Sequence, residues 1–142
     1  MAQKLTSQAI ASIARRMRAV PEKVKQAAET EIRHRAEMLA DDMRRDVRRY
    51  AYEDGALHDS IKVERVEGEA GQIAVRVQAG GASTTVSSTG ARPYDYALGI
   101  EFGNSTSPAR PFFYPNYRIH RRKIRSAVTR AMRKALKEGG LK

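Results

Sequence analysis

The sequence predicts an α+β fold with long N-terminal helices, a small antiparallel sheet of about three to four strands, and a C-terminal helix packed on that sheet. Three observations carry this prediction. An apolar residue recurs every three or four positions from Val24 to Tyr50, which is the period of an amphipathic helix. Strict alternation appears at Ile73, Val75 and Val77 and again from Tyr94 to Phe102, which is the period of a half-buried strand. A second helical stripe, Ile119, Ile124, Val128, Met132 and Leu136, closes the chain.

Taken in order, Thr6 to Ala19 reads as a first helix with Leu5, Ile10, Ile13 and Met17 as its apolar positions. Pro21 interrupts it, and because proline suits the first turn of a helix, Pro21-Glu22 opens a second helix rather than ending helical structure. That helix carries the stripe Val24, Ala28, Ile32, Ala36, Leu39, Met43, Val47 and Tyr50 and is expected to end near Tyr52, before Asp54-Gly55. About thirty residues at ~1.5 Å each make a rod of about 45 Å. A small domain does not cover such a rod, so one end is expected to project or to pack on another copy. The opposite face, with Glu22, Lys25, Glu29, Arg33, Glu37, Asp41, Arg44, Arg45 and Arg48, reads as solvated and laced with charge pairs.

Asp54 to Ser60 reads as a turn into a strand from Ile61 to Val66, whose alternation slips after Val63 and implies a bulge or an early end. Gly68 and Gly71 join it to the strand at Ile73 as a hairpin. Gly80 to Gly90 is a tract of small polar residues, a loop with little to bury. Tyr94, Tyr96, Leu98, Ile100 and Phe102 are expected to form the apolar face of a third strand, and Gly103 to Ser107 a turn. Pro111 to Tyr114 is expected to be extended, with the last helix running from about Asn116 to Glu138 and stopped by Gly139-Gly140.

The 142 residues suit one domain, with a helical part at 1–52, sheet and loops at 53–115, and a basic helix and tail at 116–142. Cysteine is absent, which excludes disulfides, thiolate metal sites and thiol nucleophiles. The start of the chain lacks the apolar run of a secretory signal, and no apolar stretch is long enough to span a membrane. Net charge is +11. From Arg110 onward eleven cations face Glu138 alone, so most of the excess lies in the last helix.

Residues able to support chemistry are few. His34, Glu37 and Asp41 share one helical face but lack a companion ligand cluster for a metal. His58-Asp59-Ser60 holds the residue types of a nucleophilic triad, yet contiguous residues cannot stack in that order, and a turn with Asp59 or Ser60 capping a backbone N–H explains them. No phosphate-binding loop or dinucleotide fingerprint is present. Neither an enzyme nor a cofactor is expected. The basic cluster Arg118, Arg121, Arg122, Lys123 and Arg125 is the one concentrated binding signal, suited to packaged DNA or to an acidic protein surface. A free-standing basic nucleic-acid-binding protein is the alternative reading.

Three short motifs appear in order: Gly55-Ala56-Leu57-His58-Asp59-Ser60-Ile61, then Tyr96-Ala97 followed by Glu101-Phe102-Gly103, then Arg110-Pro111-Phe112 followed by Pro115. Together they resemble the head–tail joining proteins of long-tailed bacteriophages, the neck, tail-completion or minor tail component family. The resemblance implies a non-enzymatic virion protein, made in the host cytoplasm, that forms or joins a homo-oligomeric ring of about six copies. Its implied neighbours are connector or stopper proteins on one side and tail-tube or tail-terminator proteins on the other. In this reading the motif residues are a frame. Gly55 and Gly103 permit turns, while Leu57, Ile61, Ile100, Phe102 and Phe112 supply core. Glu101 is expected to pair with Arg110, and Pro111 and Pro115 to hold the aromatic run extended.

Overall fold

The computed structural model describes residues 22–50, 55–68, 72–87 and 89–139. The helix expected from Thr6 to Ala19, its junction at Pro21, and Tyr52 and Asp54 lie outside the described residues.

The first described element, α1, spans Glu22–Tyr50. Its 29 residues make a rod of about 43 Å at ~1.5 Å per residue. Val24, Ala28, Ala36, Leu39, Ala40, Met43 and Val47 are buried, so the inward stripe is the one its spacing predicts, with Ile32 only partly covered. Local ion pairs run along the helix, Arg35 with Glu31, Arg44 with Asp41 and Arg45 with Asp42, each at 2.8 Å.

A short helix, α2 (Gly55–Ser60), replaces the expected turn and buries Leu57 and Ser60. The strands β1 (Lys62–Glu67) and β2 (Ile73–Gln78) then pair antiparallel in an unbroken register from Lys62 opposite Gln78 to Glu67 opposite Ile73. There is no bulge. The alternation slips in sequence because Arg65 occupies the row of Val63, and its Nε meets Glu29 of α1 at 3.1 Å. The hairpin packs on α1, with Val63 and Val77 against the core.

A 3-10 turn (Ala82–Thr84) leads to β3 (Thr85–Val86), which pairs antiparallel with β4 (Tyr94–Asp95). The four strands therefore form two separate two-stranded sheets. The expected third strand ends after Asp95, and Tyr96–Phe102 is a helix, α3. Asp95 starts it as a side-chain cap on the Ala97 N–H, and Gly103 ends it with φ 77°. Ala97, Gly99 and Glu101 are the buried residues, with Tyr96 and Ile100 packed beside the core. Leu98 and Phe102 face solvent. The alternation that suggested a strand thus has its apolar row partly outside, because two-residue and helical spacings coincide over so short a segment.

The last helix, α4, spans Tyr114–Glu138, with Pro115 inside its first turn rather than in an extended run. Its principal partner is α1 instead of the sheet. The core gathers Leu39, Ala40, Met43 and Val47 of α1 with Leu57, Ile61, Ala79, Ala97, Phe112 and Phe113.

Candidate functional site

The connection from α3 to α4 is organised by one carboxylate. Glu101 is 3% exposed. Its Oε2 accepts the N–H groups of Phe112 at 2.8 Å and Phe113 at 2.9 Å, and its Oε1 accepts that of Tyr114 at 3.0 Å. The first N–H groups of a helix have no intrahelical acceptor. Here the N-cap position is Phe113, which offers no side-chain acceptor, so the cap comes from a residue in the preceding helix. A carboxylate also complements the positive end of the helix dipole, and bonds to a charged acceptor are the stronger kind. The Glu101 carboxylate, expected to pair with Arg110, is thus committed to three backbone amides that the sequence did not point to. Arg110 ties the loop in another way, its N–H donating to the Ile100 carbonyl at 2.7 Å.

The loop between the helices is closed on itself. The Asn104 Oδ1 accepts the N–H groups of Thr106 and Ser107 and the Thr106 hydroxyl, all within 2.9 Å, and the Asn104 N–H donates to the Ser107 carbonyl. Gly103 is needed for its positive φ and because a Cβ there would stand 2.8 Å from the Ala109 nitrogen.

From its capped end α4 runs antiparallel to α1 along a seam that includes polar pairs. Asn116 Nδ2 donates to Asp46 Oδ2 and to the Phe112 carbonyl, both at 2.7 Å. One turn on, His120 Nε2 meets Asp42 Oδ2 at 2.7 Å. A carboxylate oxygen only accepts, so Nε2 carries the hydrogen. Asn116 and His120 are buried, whereas Ile119, assigned to the inward stripe by sequence, is 57% exposed. Sequence reasoning missed Asp42, Asp46, Asn116 and His120. Their only signal is the shared four-residue spacing on the two helices.

With that seam inward, Arg118, Arg121, Arg122, Lys123 and Arg125 all face solvent. Among the described residues none of these five forms an ion pair. Farther along, Arg130, Arg133, Lys134 and Lys137 are exposed as well. The helix therefore presents a cationic face whose direction is set by Glu101 at its start and by the seam along its length.

The other singled-out residues serve the frame or stand outside it. Leu57, Ile61 and Phe112 lie within the core, and Ala97 is buried beside half-buried Tyr96. Phe102, expected in the core, is 61% exposed and leans on Tyr114 with ring centroids 5.9 Å apart. Gly55 begins α2 with open space around it and without a positive φ, so no turn requires it. Pro111 is exposed. The Ser60 hydroxyl donates to the Leu57 carbonyl and accepts the Gly80 N–H, and His58 Nδ1 meets Asp59 instead, so the three do not form a triad. The Gly80 to Gly90 tract is tied down in part: Asp95 accepts the Thr84 hydroxyl at 2.7 Å and the Gly81 N–H at 3.0 Å, and Thr84 is fully buried. His34 and Glu37 line an open depression on α1 with Gln26, Glu29, Thr30 and Arg33. Among the described residues no cluster is suited to a metal ion, and no helix is long and apolar enough to cross a membrane.

Buried polar groups that hold backbone and helices, together with an exposed cationic face, suit a protein of the structural, assembling class. The comparison with known families agrees. A family model described as "Bacteriophage HK97-gp10, putative tail-component" matches residues 11–103. The chain belongs to this HK97-gp10-like family of phage tail components. The match runs through α3 to Gly103, and α4 lies beyond it. No curated protein and no solved structure gives a significant match.

Proposed function

We propose that the chain works as a single domain at the phage head–tail junction, as a neck, tail-completion or tail-terminator subunit that forms or joins a ring linking the capsid portal complex to the tail tube. It acts by geometry, without turnover. The observation that carries this reading is the presentation of Arg118, Arg121, Arg122, Lys123 and Arg125 by a helix capped through Glu101, a residue of the motif that resembles head–tail joining proteins. Gly55, Leu57, Ser60, Ile61, Tyr96, Ala97, Glu101, Phe102, Gly103, Arg110, Pro111, Phe112 and Pro115 form or flank the frame, and the cations meet the packaged DNA or an acidic neighbouring ring.

The test is charge reversal at Arg121, Arg122 and Arg125 to Glu, since all three side chains are exposed and outside the seam. The variant is expected to keep its circular dichroism and melting behaviour while extracts containing it fail to join filled heads to tails. Normal joining would remove the reading. The unpaired cations also favour a second reading, a free-standing nucleic-acid-binding protein. That reading requires duplex binding whose log affinity falls with log salt at a slope of about −0.9 per phosphate contacted. Binding without such a slope excludes it.

A further inference from the structure

On α4 the cations form two matched rows. Arg118, Arg122, Ser126, Arg130 and Lys134 follow one another at four-residue steps, and Arg121, Arg125, Thr129, Arg133 and Lys137 repeat those steps three residues farther on. Residues three and four apart are neighbours on a helix surface, so the rows lie side by side. Each rung sets like beside like, Arg by Arg, Ser by Thr and Lys by Lys. Every member of both rows is exposed, while Asn116, His120 and Ala127 mark the buried side of the helix. Among the described residues Lys134 alone of these forms an ion pair, with Glu138 at 3.9 Å.

The composition of this face selects its partner. Protein–protein contacts have an apolar, aromatic-rich centre in which charged residues are depleted. In the described stretch from Arg118 to Lys137 the one exposed large apolar residue is Ile119, and no acidic residue occurs. Single-stranded nucleic acid is held by aromatic side chains on which its bases stack, and no Phe or Tyr lies in that stretch. Adenine is read by Asn or Gln, yet the one amide side chain of α4, Asn116, is buried on Asp46. What remains on the face is arginine, lysine and hydroxyl groups, the donors that meet phosphate oxygens. Arg118 to Lys137 spans about 29 Å at ~1.5 Å per residue. Over that length one strand of a duplex carries roughly eight phosphates, against eight cations in the two rows.

We propose that the twin rows of α4 bind the sugar–phosphate backbone of double-stranded DNA without regard to base sequence. The contact deepens the reading given under Proposed function by naming the partner of its cationic face and extending that face through Arg130, Arg133, Lys134 and Lys137. It rests on that reading for where the DNA is met.

The test is equilibrium binding of the purified full-length chain, at several salt concentrations, to two DNA duplexes of equal length and unrelated sequence, to one of their single strands, and to polyglutamate. The duplexes are expected to bind equally, and more tightly than the strand or the polypeptide, with log affinity falling against log salt by about 0.9 per phosphate contacted. Arg130→Gln with Arg133→Gln should keep the circular dichroism of the parent and make that slope shallower by about two. Arg130→Lys with Arg133→Lys should leave the slope unchanged. Preference for one duplex, tighter binding of the strand or of polyglutamate, or an unaltered slope in the glutamine variant would overturn the proposal. Head–tail joining by the charge reversal at Arg121, Arg122 and Arg125 is read separately. Blocked joining with no duplex binding by the parent removes the DNA contact and leaves the junction reading, whereas duplex binding with normal joining upholds the contact and removes the junction.

Discussion

Glu101 is the residue on which the path of the chain turns. Three N–H groups bond to one buried carboxylate, and truncating it strands all three at the start of a long helix. Charge-assisted hydrogen bonds contribute about 1.5–3 kcal/mol each, and unsatisfied buried donors add their own cost. Glu101→Ala is therefore expected to lower unfolding stability by ~3 kcal/mol or more, read as an earlier midpoint in urea. Glu101→Gln keeps an acceptor oxygen but places an amide nitrogen where the second oxygen receives a donor, so its loss should be intermediate. Equal stability of the alanine variant and the parent would remove the cap from the account. The sequence singled out Glu101 but paired it with Arg110, because a carboxylate near a cation invites a salt bridge. Amide donors leave no trace in a sequence, which is why the true partners were not legible.

At the scale of elements, the sequence was most informative where one period dominated for many residues. The inward stripe of α1 and the β1–β2 hairpin follow from spacing, and both lie where it placed them. Besides Gly55–Ser60, a short helix where a turn was expected, two elements were read differently for physical reasons. In α3 the alternating apolar residues Leu98 and Phe102 are also four apart, and small Ala97 and Gly99 hid the buried face. In α4 the seam runs through Asn116 and His120, which a hydropathy pattern assigns to solvent, while exposed Ile119 took their place in the expected stripe. The seam is testable by a double-mutant cycle on Asp42→Ala and His120→Ala. A coupling of about 1–2 kcal/mol is expected, since the residues share a hydrogen bond at a mostly buried position. Additive effects would show that the pair does not contribute to holding α4 on α1.

For the whole molecule, the net charge of +11 and the exposed apolar side chains of Val86, Tyr94, Leu98 and Phe102 act in opposite senses on association. Like charges on separate copies repel across a Debye length of about 10 Å at 0.1 M salt, and that length contracts to about 3 Å at 1 M. Contact through these apolar side chains is not weakened by salt in the same way. Sedimentation velocity at rising salt is therefore expected to show a shift toward larger species, whereas assembly through ion pairs between copies would shift toward the monomer. Charge alone could not have disclosed this balance, because Leu98 and Phe102 face solvent only once α3 is wound as a helix. The closed loop between α3 and α4 bears on the molecule as a whole in another respect. Its first end is held by the Gly103 N–H on the Gly99 carbonyl, its second by the Arg110 N–H on the Ile100 carbonyl and the Phe112 N–H on the Glu101 carboxylate, and Asn104 closes its tip. The turn from Asn104 to Ser107 thus bonds within itself between two anchored ends, a stretch where a short reporter can be written into the protein while the axis of the last helix keeps its bearing.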